Sequence, residues 1–137
     1  MTVAPLKIAL VEDNQDLCDS WLALFELDGH QVKTFPDGTS LLRDVNAIDW
    51  CDVVITDYYL PDVNGMELIG HVRNVRDRLP VILLSGMRDR SVIESVRRMP
   101  RTEFVPKPAD VDELEAALVR VAAMGDSQGL SGARPHA

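Results

Sequence analysis

Short apolar runs alternate with amphipathic stretches along the first 124 residues. The runs at 6–11, 31–35, 52–56, 81–85 and 103–106 are apolar on both faces, as strands are in a parallel sheet covered on both sides. Between and after them the apolar positions take helical spacing. Leu17, Trp21, Leu24, Phe25 and Leu27 predict a helix over 15–28, capped by Asn14 and stopped at Gly29. Leu41, Leu42 and Val45 predict one over 38–47, and Leu68, Ile69 and Val72 one over 66–76, entered through Gly65. Val92, Ile93, Val96 and Met99 predict a helix over 89–99 that must stop by Met99, because Pro100 cannot continue it. A last helix over 110–124 carries Val111, Leu114, Ala117, Leu118 and Val121, with Asp110 as cap and Glu113 at the capping-box position. The pattern is five repeats of strand then helix, an α/β doubly wound parallel sheet in a single domain over 1–124. Residues 125–137 lose the periodicity and are rich in Gly and Ser, which predicts a flexible C-terminal tail or the start of a linker.

Bulk properties narrow the function. A chain of 137 residues fits one domain. Its 46% hydrophobic and 26% charged residues place it among ordinary globular proteins. A net charge of −8 argues against nucleic acid, whose binding rests on neutralising phosphates, and against anionic membranes. The N-terminus lacks the basic and long apolar segments of a signal peptide, and no apolar stretch approaches the ~18 residues of a membrane span. A cytoplasmic protein is expected. Cys18 and Cys51 form neither a CxxC pair nor a disulfide framework and read as buried or half-buried free thiols. His30, His71 and His136 share no metal spacing and read as surface or half-buried residues. Arg88, Arg90, Arg97, Arg98 and Arg101 form either a solvated face or a docking patch for an acidic partner. Arg73, Arg76 and Arg78, around the end of the third helix, read as serving its dipole and solubility.

Four polar sites close four of the apolar runs: Glu12-Asp13, Asp57, Ser85 and Lys107. In an open parallel sheet, ligands bind beyond the carboxyl ends of the strands at a topological switch point. The second run ends in Thr34-Phe35-Pro36 without an acid in register, and Asp37 fits a turn or cap. That run belongs at the sheet edge, which gives the order 2-1-3-4-5 and sets Asp13 and Asp57 across the crevice. A desolvated group of carboxylates repels itself and needs a cation. Oxygen ligands with few protein contacts suit Mg²⁺, with Mn²⁺ as a substitute.

These residues resemble the receiver domain of bacterial two-component response regulators over about residues 5–124. The resemblance rests on Val11-Glu12-Asp13-Asn14, on Asp57-Tyr58-Tyr59-Leu60-Pro61 running to Gly65, on Ser85-Gly86, and on Phe104-Val105-Pro106-Lys107-Pro108. It implies a flavodoxin-like fold and a signalling switch, not a metabolic enzyme. Asp57 is then the phosphoacceptor, taking a phosphoryl group from a histidine kinase or histidine phosphotransfer protein. Asp13 and Asp57 would bind Mg²⁺ directly, Tyr59 through its backbone carbonyl and Glu12 through water. Lys107 would hold a phosphoryl oxygen. Ser85 would donate its hydroxyl to the phosphoryl group, with Gly86 leaving room for backbone approach, and Ser85 and Phe104 would form the switch. Lys107-Pro108 is a candidate cis bond. Tyr59 and Met87 occupy positions that flank the path of attacking water in the family, and neither can orient that water, so slow autodephosphorylation is expected. Pro100-Arg101 replaces a small Gly-Ala pair, which makes the nearby switch surface unusual. The downstream protein or output domain stays unassigned, and a phosphorylation-dependent homodimer is compatible with this reading.

Other functional classes fit less well. A phosphatase with an Asp nucleophile wants a second acid where Tyr59 stands. A nucleotide or flavin binder wants a Gly- or Ser/Thr-rich phosphate loop after the first strand, where Glu12-Asp13 would repel phosphate. The remaining alternative is a receiver-like protein-interaction module that acts without phosphorylation.

Overall fold

Five strands, β1 (Lys7–Val11), β2 (Gln31–Phe35), β3 (Val53–Asp57), β4 (Val81–Ser85) and β5 (Thr102–Pro106), pair in parallel in the order β2-β1-β3-β4-β5. The computed structural model describes residues 4–86 and 89–124. The predicted tail over 125–137, with His136, and the pair Met87 and Arg88 lie outside the described residues. Among the described residues, six helices accompany the sheet: α1 (Gln15–Leu27), α2 (Gly38–Leu42), α3 (Val45–Trp50), α4 (Gly65–Val75), α5 (Arg90–Arg98) and α6 (Val111–Met124).

Alternation along the strands divides the core in two. Ile8, Leu10, Val53, Ile55, Ile82, Leu84 and Val105 pack against Cys18, Trp21 and Phe25 of α1 and Leu114, Ala117, Leu118 and Val121 of α6. The intervening Ala9, Val11, Val54 and Val81 face Leu41, Ala47, Ile48, Leu68, Ile69 and Val72 of α2, α3 and α4, with Met99 after α5 against the same cluster. Both faces of the central strands are covered, whereas the edge strand β2 exposes Gln31, Lys33 and Thr34 and is not apolar on both faces as expected. The helix caps follow the sequence closely. Asn14 Oδ1 accepts from the Leu17 N–H, Asp37 from Ser40 and Asp110 from Glu113. Gly29, with φ +91°, ends the α1 turn.

Several sequence expectations change. The helix predicted over 38–47 is two short helices, because Asp44 leaves helical geometry and its side chain accepts from the Ala47 N–H to start α3. Val45 consequently points to solvent, and the buried positions are Leu41, Ala47 and Ile48. Leu27 is 83% exposed, since Cys18, Trp21 and Phe25 already form the inward stripe of α1. Asn64 caps α4 through a complete capping box with Glu67. Helix α5 stops at Arg98, before Pro100, and Arg101 takes a left-handed φ of 56°. The Lys107-Pro108 bond is cis. Both cysteines are buried. His30 is buried rather than superficial: its Nδ1 accepts the Leu6 N–H at 2.9 Å and its ring meets Phe25 edge-on.

Arg73 and Arg76 are not solubility groups. Arg73 donates through Nε and Nη2 to the Leu79 carbonyl at 3.1 and 3.0 Å, and through Nη2 to the Arg101 carbonyl at 2.8 Å. Arg76 Nη1 donates to the carbonyls of Ile48 and Cys51 at 2.6 and 2.7 Å, satisfying groups that the end of α3 leaves open. Arg101 in turn reaches the Met124 carbonyl at the end of α6 at 3.0 Å. The edge of the sheet where β3, β4 and β5 begin is thus tied together by guanidinium groups. Arg76→Ala removes charge-assisted bonds and strands carbonyls, at a cost of about 2 kcal/mol. Urea denaturation would register this as a lower midpoint with an unchanged slope.

Candidate functional site

Strand register assembles the opposite edge. Val11 lies level with Thr56, so the next residues, Glu12 and Asp57, are side by side. Asp57 lies level with Leu84, so Ser85 stands one step beyond it. Ser85 lies level with Pro106, so Lys107 stands one step further, and the Lys107 N–H is donated to the Ser85 carbonyl at 2.9 Å. Four separate strand ends therefore form one staircase of polar side chains.

Carboxylate oxygens of Glu12, Asp13 and Asp57 lie within 4.8 Å of one another. Asp13 is exposed, whereas Glu12 and Asp57 are 4% and 7% exposed. Lys107 Nζ donates to Asp57 Oδ2 at 3.0 Å and stands 3.6 Å from Glu12 Oε1. The other Glu12 oxygen accepts the Asn14 N–H at 3.1 Å, which turns the carboxylate toward the cluster. Burial raises the Glu12 pKa, and this outweighs the Asn14 hydrogen bond and the nearby Lys107 charge. For Lys107, burial favours the neutral amine, but Asp57 and Glu12 overcome it and hold the pKa above its ordinary value. Among the described residues, one ammonium thus faces three acids. The oxygen-only donor set, partly buried, fits a small divalent cation such as Mg²⁺.

The loop after β3 is shaped around Asp57. The Tyr58 N–H is donated to the Leu84 carbonyl at 2.8 Å, and the Gly65 N–H to the Tyr58 carbonyl at 2.7 Å. A Cβ at Gly65 would stand 2.9 Å from Tyr58 Cα and 3.1 Å from the Asp57 carbonyl oxygen, and closer still to Leu83 Cδ1. Only glycine lets the start of α4 approach the acceptor strand this closely. Tyr59 faces Asn64 in an antiparallel bridge; its side chain is 61% exposed and packs edge-on against Tyr58. Gly86 differs: a Cβ there would meet Lys107 Cβ at an ordinary 3.9 Å, so close approach does not demand glycine. Ser85 is fully buried and Phe104 half-buried, level with Leu83. Met87 lies outside the described residues.

The structure brings Glu12, Asp13, Asp57 and Lys107 into contact distance, and places Ser85 at the adjoining strand end. Sequence reading missed Asp62, which carries the outer side of the same loop. Its carboxylate accepts from the Gly38 N–H at 3.1 Å, the Thr39 N–H at 2.7 Å, the Thr39 hydroxyl and the Val63 N–H at 2.8 Å. No local signal pairs residue 62 with residues 38 and 39, so only the tertiary structure reveals the contact.

Comparison with known proteins agrees with this arrangement. The response regulator receiver domain family matches residues 8–119. The chain belongs to that family. It is similar to response regulator MprA of Mycolicibacterium vanbaalenii, with 32% identity over 134 residues, covering 94% of this chain and 57% of MprA. It also resembles the DNA-binding transcriptional regulator NtrC of Azospirillum brasilense, with 35% identity over 67% of this chain and 19% of NtrC. Among solved structures, the non-phosphorylated HemR receiver domain of Leptospira biflexa has a TM-score of 0.77 at 27% identity, covering 98% of this chain and all of that one. A receiver domain protein from Clostridium thermocellum has a TM-score of 0.79 at 26% identity, covering 85% and 94%. The chain thus spans little more than half of MprA and a fifth of NtrC. It is a two-component signalling receiver with the flavodoxin-like fold, and its family binds Mg²⁺ at an acidic pocket. No described helix is long and apolar enough to cross a membrane.

Because its folded pKa is raised, Glu12 binds its proton more tightly in the native protein than in the unfolded chain. The contribution of Glu12 to stability therefore falls as pH rises from the ordinary carboxylate range through that raised value. With chelator present, Glu12→Gln is expected to raise the urea midpoint at pH 7, and the gain should fade as the pH falls below that range. A variant less stable than wild type at pH 7 would contradict this account of the cluster.

Proposed function

We propose that this receiver accepts a phosphoryl group on Asp57 from a histidine kinase or histidine phosphotransfer protein and signals through the resulting change of conformation. The observation that carries the reading is the position of Asp57: a carboxylate grouped with two further acids and paired with Lys107 at 3.0 Å. An ionised carboxylate is already a nucleophile, so catalysis of its phosphorylation reduces to positioning and charge neutralisation. Asp13, Asp57 and the Tyr59 carbonyl would hold Mg²⁺, with Glu12 acting through water. The metal, when bound, neutralises charge on the incoming phosphoryl oxygens. Lys107 moves from pairing with Asp57 to pairing with a phosphoryl oxygen, so its charge is conserved through the step. Ser85, rooted at the end of β4, donates its hydroxyl to the same group. Phe104, which has no hydroxyl, responds by packing alone.

Work in the cytoplasm follows from dependence on such a phosphodonor. Output through a partner protein or a linked domain, and pairing of phosphorylated copies, belong to the same proposal. The rival reading, an interaction module without phosphorylation, leaves the convergence of Glu12, Asp13, Asp57 and Lys107 without a role.

Incubation with Mg²⁺ and a small acyl phosphate, followed by intact-mass measurement, is expected to show one added phosphoryl group on wild type and none on Asp57→Asn or with chelator. No addition to wild type, or addition that persists in Asp57→Asn, would refute the assignment. Tyr59 and Met87 offer no carboxylate or amide to orient a hydrolytic water, so the phosphorylated form should be long-lived. Tyr59→Asn combined with Met87→Glu should shorten its half-life several-fold in a phosphate-release assay, and an unchanged rate would sink the idea.

A further inference from the structure

The outer half of the loop that carries the Tyr59 carbonyl is held by a bridge from Tyr59 to Asn64, by Leu60 and Val63 packed against the core, and by the one charged side chain of Asp62. Its inner half is fixed to the sheet through Tyr58 and Gly65. Between them, Asp62 spans to the start of α2 and fills its carboxylate with four donors: the N–H groups of Gly38, Thr39 and Val63 and the Thr39 hydroxyl. Contact at this place is close. A Cβ on Gly38 would come within 2.5 Å of Val63 Cγ2. Helix α2 already has its own cap in Asp37, which accepts from Ser40. Asp62 supplies acceptors for the two preceding N–H groups from across the structure, so its bonds orient the loop as much as they finish the helix.

We propose that Asp62 is a positioning residue for the metal site, holding residues 59–63 against α2 so that the Tyr59 carbonyl stays where the cation is bound. This rests on the metal-dependent reading above and names a residue in it that touches neither metal nor phosphoryl group. The latch is charged throughout the physiological range. Burial alone would raise its pKa, but the hydrogen bonds from Thr39, Gly38 and Val63 outweigh that and hold it at about 2. Groups that orient metal ligands from outside typically govern affinity by about tenfold or more.

Mg²⁺ affinity of the unphosphorylated protein, measured by calorimetry, tests the proposal. Asp62→Ala should weaken binding about tenfold, and Thr39→Val, which removes one of the four donors, should weaken it less. Asp37→Ala deprives the same helix of its own cap without touching the loop, and should leave affinity near the wild-type value. An Asp62→Ala protein that binds as tightly as wild type would overturn the inference alone. So would equal losses in Asp62→Ala and Asp37→Ala, because the effect would then come from helix stability. Wild type that takes up no Mg²⁺ would overturn the metal-dependent reading and this inference with it.

Discussion

Glu12 and Asp57 are buried side by side with one ammonium, Lys107, between them. Carboxylates so placed repel, and the attraction of a single lysine offsets only part of the cost of removing them from water. Nothing local would hold them there. The backbone ladder does, because each acid stands at a strand end fixed by parallel pairing, and slipping one residue in register would turn every core side chain to the wrong face. The apolar alternation that buries Ile8 and Leu10 on one side and Ala9 and Val11 on the other is therefore also what keeps the acids together. Core packing sustains an electrostatic arrangement that a bound cation would relieve.

The same sheet treats its two edges differently. Where β3, β4 and β5 begin, Arg73, Arg76 and Arg101 satisfy backbone carbonyls and lock helix ends to strand starts. Where the strands end, the connections are made by loops that bear the site. The loop after β3 is gripped inside by the Gly65 seat and outside by Asp62. A rigid scaffold with functional groups on the loops at one end is the arrangement expected of the fold.

Much of this could be read from the sequence because β3 and β4 are short and apolar on both faces and polar residues fall at the strand ends. The strand order followed from the missing acid after β2, and the caps Asn14, Asp37 and Asp110 followed from residue type and spacing. The failures share a physical cause. Periodicity carried Val45 into a helix face because apolar spacing was weighed over Asp44, a residue type better suited to starting a helix than to lying inside one. Arg73 and Arg76 lie among charges that resemble a solvated helix end, and only the nearness of the Leu79 and Cys51 carbonyls makes them structural. His30 accepts from Leu6, 24 residues away, and Asp62 accepts from Thr39, 23 residues away. Long-range polar pairs of this kind leave no period in the chain. The Asn64–Glu67 capping box, by contrast, was within reach of the rules already applied to Asp110.

Helix α5 has the least to lose from moving. Val96 is its one fully buried residue, while Arg90, Arg97 and Arg98 are solvated. Helices α1, α4 and α6 each bury at least three residues. Free energies of local opening scale with such burial, so α5 belongs to the low-stability end of the fold. It also follows directly from the strand end that carries Ser85. A pull on Ser85 toward a phosphoryl group meets clamped backbone at the far end of β4, through Leu79 and Arg101, and so cannot be relieved by sliding the strand. Under the proposed phosphorylation, that displacement would pass outward, toward the half-buried Phe104 on the neighbouring strand and the lightly anchored α5. The guanidinium clamps at one edge thus determine where a change at the other edge can appear.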